Sequence, residues 1–451
     1  MKNLFKADFI FNSFAFILLL ILPWQTRWIF QSIKIADQTW EYGQLGLYAS
    51  MILLIVLLVL YFKNTPSAAY APSPPKLGGD RVGVLVFILY LIILAFFSPL
   101  RTLSFYYLGM LILATLSILV WQKIKPSVFY AGLLASGLIQ AIFVWYQMLM
   151  QTSPANKWLG LATHSAADLG TSVVQYDLNR MLRAYGSLPH PNILGGFLLF
   201  SLWGGIWWWL HLYSESKEED WQISKVKKHL LPLVVVLVSL ILVLFALFFT
   251  FSRSAVLAWF VSLAVLIFLS VWRKKFLALQ IFSKAFLLSV AVLLAVNFLF
   301  PGAWLTRLRA QGDLEARSLA ERQLSFKQID WHNYQQLILG QGLGTNTYIA
   351  YQKNHLSEQK LPPYVVQPIH NFYLLVLAES GIITCLFLLY FLFRAWRKKH
   401  LQKPNLISLG LLISVVLVSL LDHYFWTTWT GLLLLTITLS LFIKRENKSN
   451  L

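Results

Sequence analysis

The chain has 451 residues, of which 58% are hydrophobic and only 12% charged, with a mean hydropathy of +0.65. A soluble domain carries about 25% charged residues, so the composition excludes an ordinary soluble enzyme and points to the bilayer. The net charge of +19 then speaks to orientation rather than to nucleic acid, because Lys and Arg gather at cytoplasmic helix ends beside anionic lipid.

Apolar runs of membrane-spanning length recur along the chain. They are continuous rather than alternating, which selects helices over barrel strands. The first follows Met1-Lys2-Asn3-Leu4-Phe5-Lys6 and imitates a secretory signal, but the bulky Leu22-Pro23-Trp24 offers no cleavage site, so it reads as a retained span. About twelve spans are expected, at 8–23, 45–62, 83–98, 104–122, 128–150, 192–212, 230–250, 254–272, 285–302, 370–393, 406–423 and 426–443. Placing the N-terminus in the cytoplasm puts 23 of the 37 Lys and Arg on cytoplasmic segments, 7 on short outer segments and 7 in the long loop 303–369. That asymmetry predicts cytoplasmic termini, with both long loops, 151–191 and 303–369, outside.

The cytoplasmic loops read as punctuation: a Pro- and Ala-rich linker at 66–75 and a solvated mixed-charge face at 215–228. Neither a phosphate-binding loop nor a dinucleotide fingerprint appears. The lone cysteine, Cys385, falls in an apolar run and reads as packing. The outer loops differ. Segment 151–191 ends Arg183-Ala184-Tyr185-Gly186-Ser187-Leu188-Pro189-His190-Pro191. Segment 303–369 predicts a charged helical stretch over 305–339, with Trp331, Tyr334, Leu337 and Ile338 available to bury, and then a turn at Gly340-Gln341-Gly342-Leu343-Gly344.

His370, in Gln367-Pro368-Ile369-His370-Asn371, opens the tenth span. The positive helix terminus disfavours imidazolium there, leaving a neutral ring able to accept a proton. The competing reading is an interfacial histidine bonded to a loop carbonyl. Arg253, in Ser252-Arg253-Ser254, lies between two apolar runs with almost no loop; it reads either as a clamp on an anionic headgroup or as a snorkelling boundary arginine. Arg183 sits in a loop whose Gly and Pro residues fix its direction, and Arg322 on the helical part of the long loop. His190 and His370 lack a carboxylate or thiolate cluster at metal-ligand spacing. Glu379, within the tenth span, is out of phase with His370 on a helix and is expected to pair with another helix.

Together these pieces resemble the O-antigen ligase and polymerase superfamily. His370-Asn371, nine residues and Gly381 match its His-[Asn/Ser/Gln]-x9-Gly signature after a large outer loop. Ser252-Arg253-Ser254, the 183–192 element and the Gly340–Gly344 turn resemble its remaining motifs, so the likeness covers about 180–390. Thr384 departs from it, standing near where many members carry a second glycine. The resemblance implies an all-α, polytopic GT-C-like bundle: spans 1–9 within 1–302, a large extracytoplasmic loop at 303–369, and spans 10–12 within 370–451. It implies a glycosyltransferase of the inner membrane that uses no metal or other cofactor. The donor would be a glycan on undecaprenyl diphosphate, and the acceptor a glycan, lipid or protein hydroxyl. His370 would serve as base, and Arg183 and Arg253 would hold the diphosphate. Asn371, Arg322 and His190 would complete substrate binding. A flippase of lipid-linked saccharides is the alternative.

Overall fold

The computed structural model describes residues 2–64, 80–168, 170–176, 179–218, 223–309, 323, 325–354, 366–399 and 405–443. The linker expected at 66–75, residues 219–222 of the expected solvated face, and Arg322 lie outside them. Helix α1 (Lys2–Ile21) leads into a hairpin, β1 (Arg27–Ile35) and β2 (Gln38–Tyr48), and then to α2 (Ala49–Asn64), α3 (Asp80–Phe96), α4 (Arg101–Lys123) and α5 (Pro126–Met150). The segment after α5 carries four short strands, β3 (Thr152–Ser153), β4 (His164–Ser165), β5 (Val173–Tyr176) and β6 (Asn179–Leu182), paired as two small hairpins. Helices α6 (Pro191–Glu218), α7 (Ile223–Phe249), α8 (Arg253–Trp272), α9 (Phe276–Leu299) and α10 (Ala303–Arg309) follow. The chain ends with α11 (Tyr334–Leu339), α12 (Asn346–Lys353), α13 (Phe372–Lys399), α14 (Leu406–Ser419), α15 (Tyr424–Thr427) and α16 (Trp429–Ile443).

Among the described residues, seven helices are long and apolar enough to cross a membrane, namely α4 to α9 and α13. Five shorter apolar helices, α1, α2, α3, α14 and α16, stand where the other expected spans were placed. Helix α6 is the axis of the bundle, with 94% of its apolar stretch buried, packed against α5, α7 and α14. Lipid tails are as apolar as Leu, so polar pairs and close packing must select helix partners. Here indole N–H groups do so: Trp203 Nε1 donates to Ser414 Oγ at 3.1 Å, Trp259 Nε1 to Ser289 Oγ at 2.9 Å and Trp429 Nε1 to Ser50 Oγ at 2.9 Å.

Three sequence expectations give way. The outer segment expected at 24–44 is the β1–β2 hairpin, and α2 begins at Ala49 instead of 45. Its two-residue turn, Ala36-Asp37, has positive φ at both positions, as a type I′ turn requires. Of the helix expected over 305–339, residues 310–322 and 324 lie outside the described residues; the described part is helical at α10, at 323, 325 and 326 and at α11, and is interrupted by turns over 327–333. Asp330 Oδ1 accepts from the His332 N–H in a local turn, and Asn333 Oδ1 caps α11 through the Gln336 N–H, so side-chain acceptors end one helix and start the next. Trp331, Tyr334 and Ile338 were expected to bury and instead remain 53%, 71% and 48% exposed.

The third departure is inside α13, expected as one continuous span. Gly381 breaks it, with φ 71° and ψ 172°. The carbonyls freed at the break are met by the Gly-rich turn: Gln341 N–H donates to Ala378 O at 3.0 Å and Gly342 N–H to Glu379 O at 2.9 Å. Tyr90 Oη adds a donor to Ser380 O at 2.8 Å. A side chain at Gly381 would stand 2.2 Å from the Ile338 carbonyl, so backbone packs directly on backbone and only glycine fits.

Candidate functional site

The connections after α1, α3, α5, α7, α9 and α14 meet at one end of the bundle. They are stitched together by hydrogen bonds among 22–48, 98–104, 151–190, 250–252, 300–371 and 420–428.

The loop carrying Arg183 and His190 is held by two glutamines on one face of α5. Gln147 Oε1 accepts from the Tyr185 and Gly186 N–H groups, both at 2.9 Å, and its Nε2 donates to Gly186 O at 2.8 Å. Gln140 Oε1, two turns earlier, accepts from the Ser187 N–H at 2.8 Å. Both glutamines are buried, and burying an unpaired amide costs about 1–3 kcal/mol, so the loop conformation and the glutamines hold each other in place.

Arg183 is 6% exposed, which removes it from the class of solvated loop arginines. Its Nε donates to Thr250 O at 2.8 Å, and an Nη to Asn192 Oδ1 at 2.6 Å. Asn192 Nδ2 donates onward to Asp422 Oδ2 at 2.9 Å. Burial raises the Asp422 pKa, but His423, His370 and His190 and the His423 backbone N–H more than offset this, leaving the carboxyl below the usual carboxylate range. His190 spends both ring nitrogens within the protein: Nδ1 accepts from the Asn192 N–H at 3.1 Å, which leaves Nε2 to donate to Ser172 Oγ at 3.1 Å. Burial first, and then the Arg183 charge, push its pKa down to about 3. A neutral ring that is bonded on both sides is a strut of this loop.

His370 lies just before the first turn of α13, its backbone N–H 3.4 Å from Ser325 Oγ. Its ring meets that of His423 edge to face, with centroids 5.1 Å apart. The Tyr42 ring, from β2, stands 6.3 Å from His423 on a similar tilt, and its hydroxyl reaches Gln367 Oε1 at 3.4 Å. Asn371 caps α13, its Oδ1 accepting from the Leu374 N–H at 3.0 Å while Nδ2 donates to Leu420 O at 3.0 Å. With its amide used at both ends, Asn371 fixes the direction in which His370 enters the site.

Arg253 begins α8, one residue past the tight turn whose Thr250 carbonyl receives Arg183. Its guanidinium donates to Arg307 O at 2.9 Å, and Arg307, itself 6% exposed, points Nε and an Nη back at Phe251 O at 3.3 and 3.2 Å. Three arginines therefore surround the 250–252 turn. Glu379 pairs with another helix, as expected, and with the Gly-rich turn as well. Its Oε2 accepts from Trp426 Nε1 at 2.7 Å and the Gly344 N–H at 2.9 Å, which locks the Gly-rich turn and α15 onto α13.

The structure thus brings Arg183, His190 and His370 together and joins Arg253 to them through the α7–α8 turn. Sequence reasoning missed Asp422, His423 and Arg307. A signal was present: Asp422-His423 is a polar pair at the very end of the eleventh apolar run, and Arg307 stands just past the ninth. Among the described residues, no group of three or more His, Cys, Asp or Glu side chains is placed to hold a metal ion.

Residues 238–389 match the model of the O-antigen ligase family. No curated protein matches the chain. The matched segment contains Arg253, Arg307, His370, Asn371 and Gly381, whereas Arg183, Asn192, Asp422 and His423 lie outside it and reach the site by folding. Such a domain, in a chain with many apolar helices, supports a membrane glycosyltransferase of ligase or polymerase type. Residues 238–389, with the motifs they enclose, are similar to the O-antigen ligase family, in line with the resemblance drawn from the motifs.

Proposed function

We propose that the protein transfers a glycan from undecaprenyl diphosphate to an acceptor hydroxyl at the outer face of the inner membrane, with inversion at the anomeric carbon. The observation that carries this reading is the convergence at one end of the bundle of a buried arginine held in place by Asp422 and Asn192 with the edge-to-face pair His370 and His423. The acceptor oxygen attacks the anomeric carbon, the bond from that carbon to the diphosphate oxygen breaks, and His370 takes the acceptor proton. The diphosphate leaves carrying negative charge, which Arg183 and Arg253 offset, with Arg307 bracing Arg253 through its carbonyl. Since the leaving group is already a weak base, charge neutralisation, one base and positioning suffice. Asn371 and His190 support this geometry, and Arg322 stays a candidate contact from the long loop.

Two features support this sidedness. The Lys and Arg distribution favours cytoplasmic termini, and with that orientation every connection that builds the site, each following an odd-numbered apolar helix of the described residues, falls on the outer side. The division at 1–302, 303–369 and 370–451 then separates nine spans, the outer loop that frames His370, and three closing spans in a GT-C-like arrangement. A flippase reading is disfavoured because the polar residues cluster at helix ends, whereas carriers place their sites near the bilayer midplane. The test is transfer by the purified protein in detergent, supplied with lipid-linked glycan and acceptor. Product requires an enzyme, since flipping has no meaning without a bilayer. His370→Ala is expected to abolish product with folding intact, and full activity in that variant would remove the proposed base.

A further inference from the structure

A cleft of about 300 Å³ opens on the large loop, between the 327–332 turn and the C-terminal end of α12. That is the lower end of the range for ligand pockets, about 300–1,000 Å³, a size that suits a sugar ring and not a lipid tail. Its walls are directly joined to the His370 segment. Gln328 Nε2 donates to Gln367 O at 3.0 Å on one side, and Asn346 Oδ1, on the helix that forms the other wall, accepts from the Ile369 N–H at 3.4 Å. One part of the lining is apolar and includes the Trp331 ring, which is held 53% exposed although buried surface lies beside it at Ile329 and Ala350. The rest offers hydrogen-bonding groups of both kinds: donors on Lys327, Lys353 and Asn354, and an acceptor carboxylate on Asp330, which is 3.6 Å from Lys353.

This mixture is selective. A phosphate would meet the Asp330 carboxylate, and an acyl chain would strand the polar groups unpaired. A pyranose fits both halves, since its C–H face packs on an aromatic ring and each hydroxyl both donates and accepts. We propose that the cleft binds one sugar ring of a glycan chain and so holds that chain beside His370. This rests on the transfer reaction proposed above, and the sugar can belong either to the donor glycan or to a glycan acceptor.

The test uses the full-length protein in lipid nanodiscs. The probe is the set of oligosaccharides released by mild acid from the source organism's own surface polysaccharide. Ligand-observed NMR is expected to show binding that Trp331→Ala weakens about tenfold, the scale of one lost aromatic contact, and that Trp331→Phe largely restores. In the transfer assay, Trp331→Ala should raise KM for one substrate about tenfold with kcat within about twofold. A rise for the lipid-linked donor assigns the sugar to the donor, and a rise for the acceptor assigns it there. An absence of oligosaccharide binding to the native protein, or binding unchanged in both Trp331→Ala and Asn354→Ala, overturns the proposal. His370→Ala separates the two readings: it should bind oligosaccharide normally without transferring it. Transfer by that variant defeats the assigned base and leaves the binding result standing.

Discussion

Asn192 donates to Asp422 across 2.9 Å, and this single bond joins the first turn of the central helix to the segment between the last two apolar helices. Because the other end of the same amide accepts from Arg183 at 2.6 Å, an arginine before the sixth apolar run is oriented by a carboxylate about 240 residues away in sequence. Asp422→Asn weakens the acceptor that fixes Asn192. Transfer is expected to fall about a hundredfold, the size of removing one oriented electrostatic group. The double variant Asn192→Ala/Asp422→Asn should fall little further than the worse single variant, since the two act as one unit. Steady-state transfer rates on the four proteins of this cycle check the coupling.

Arg183→Lys keeps the charge but loses the fork that spans Thr250 O and Asn192 Oδ1 at once. Activity is expected to drop at least about tenfold, a loss of roughly one charge-assisted hydrogen bond, with KM for the lipid-linked donor rising. Unaltered donor kinetics in this variant would separate Arg183 from the diphosphate.

Gly381→Ala places a methyl group on the Ile338 carbonyl and forces a residue with a side chain to hold φ 71°. Strain of this kind costs on the order of 1–3 kcal/mol before the clash is counted. The Gly-rich turn should detach from the break in α13, seen as a lower thermal midpoint and faster protease cleavage within 325–354. Cleavage kinetics and a midpoint equal to those of the native protein would show that the turn and the helix break are not coupled.

The pH dependence of stability should carry the signature of His190. Its folded pKa of about 3 lies below the ordinary value of 6.5, so the unfolded chain binds the proton more readily. The stabilisation is fully present above pH 6.5 and declines as pH falls from there towards 3. His190→Gln has no proton to take up, and its thermal midpoint should vary less between pH 6.5 and 4.5 than that of the native protein. Identical pH profiles in the two proteins would exclude His190 as the titrating group.

Much of this protein was legible from its residues alone. Continuous apolar runs locate the apolar helices of the described residues, most of them to within a few residues although α9 starts nine residues before the expected 285, because a segment in lipid must satisfy its backbone within itself and therefore forms a helix. Lys and Arg placement gives an expected orientation by the same one-dimensional logic. His370, Arg183 and Arg253 could be singled out because polar groups beside apolar runs need a reason to be there. The β1–β2 hairpin was not legible: Arg27 to Tyr48 mixes aromatic, aliphatic and polar residues without a clean alternation, and its pairing has two register shifts. The broken α13 was hidden as well, since one glycine in an apolar run looks like helix until another segment's N–H groups are found capping the break. Partners were the larger gap. Asp422 and Arg183 are remote in sequence, and only the packing of α6 against its neighbours brings their side chains within reach of Asn192. Local chemistry fixed which residues needed partners, and tertiary packing, through contacts between segments far apart in the chain, decided which partners they received.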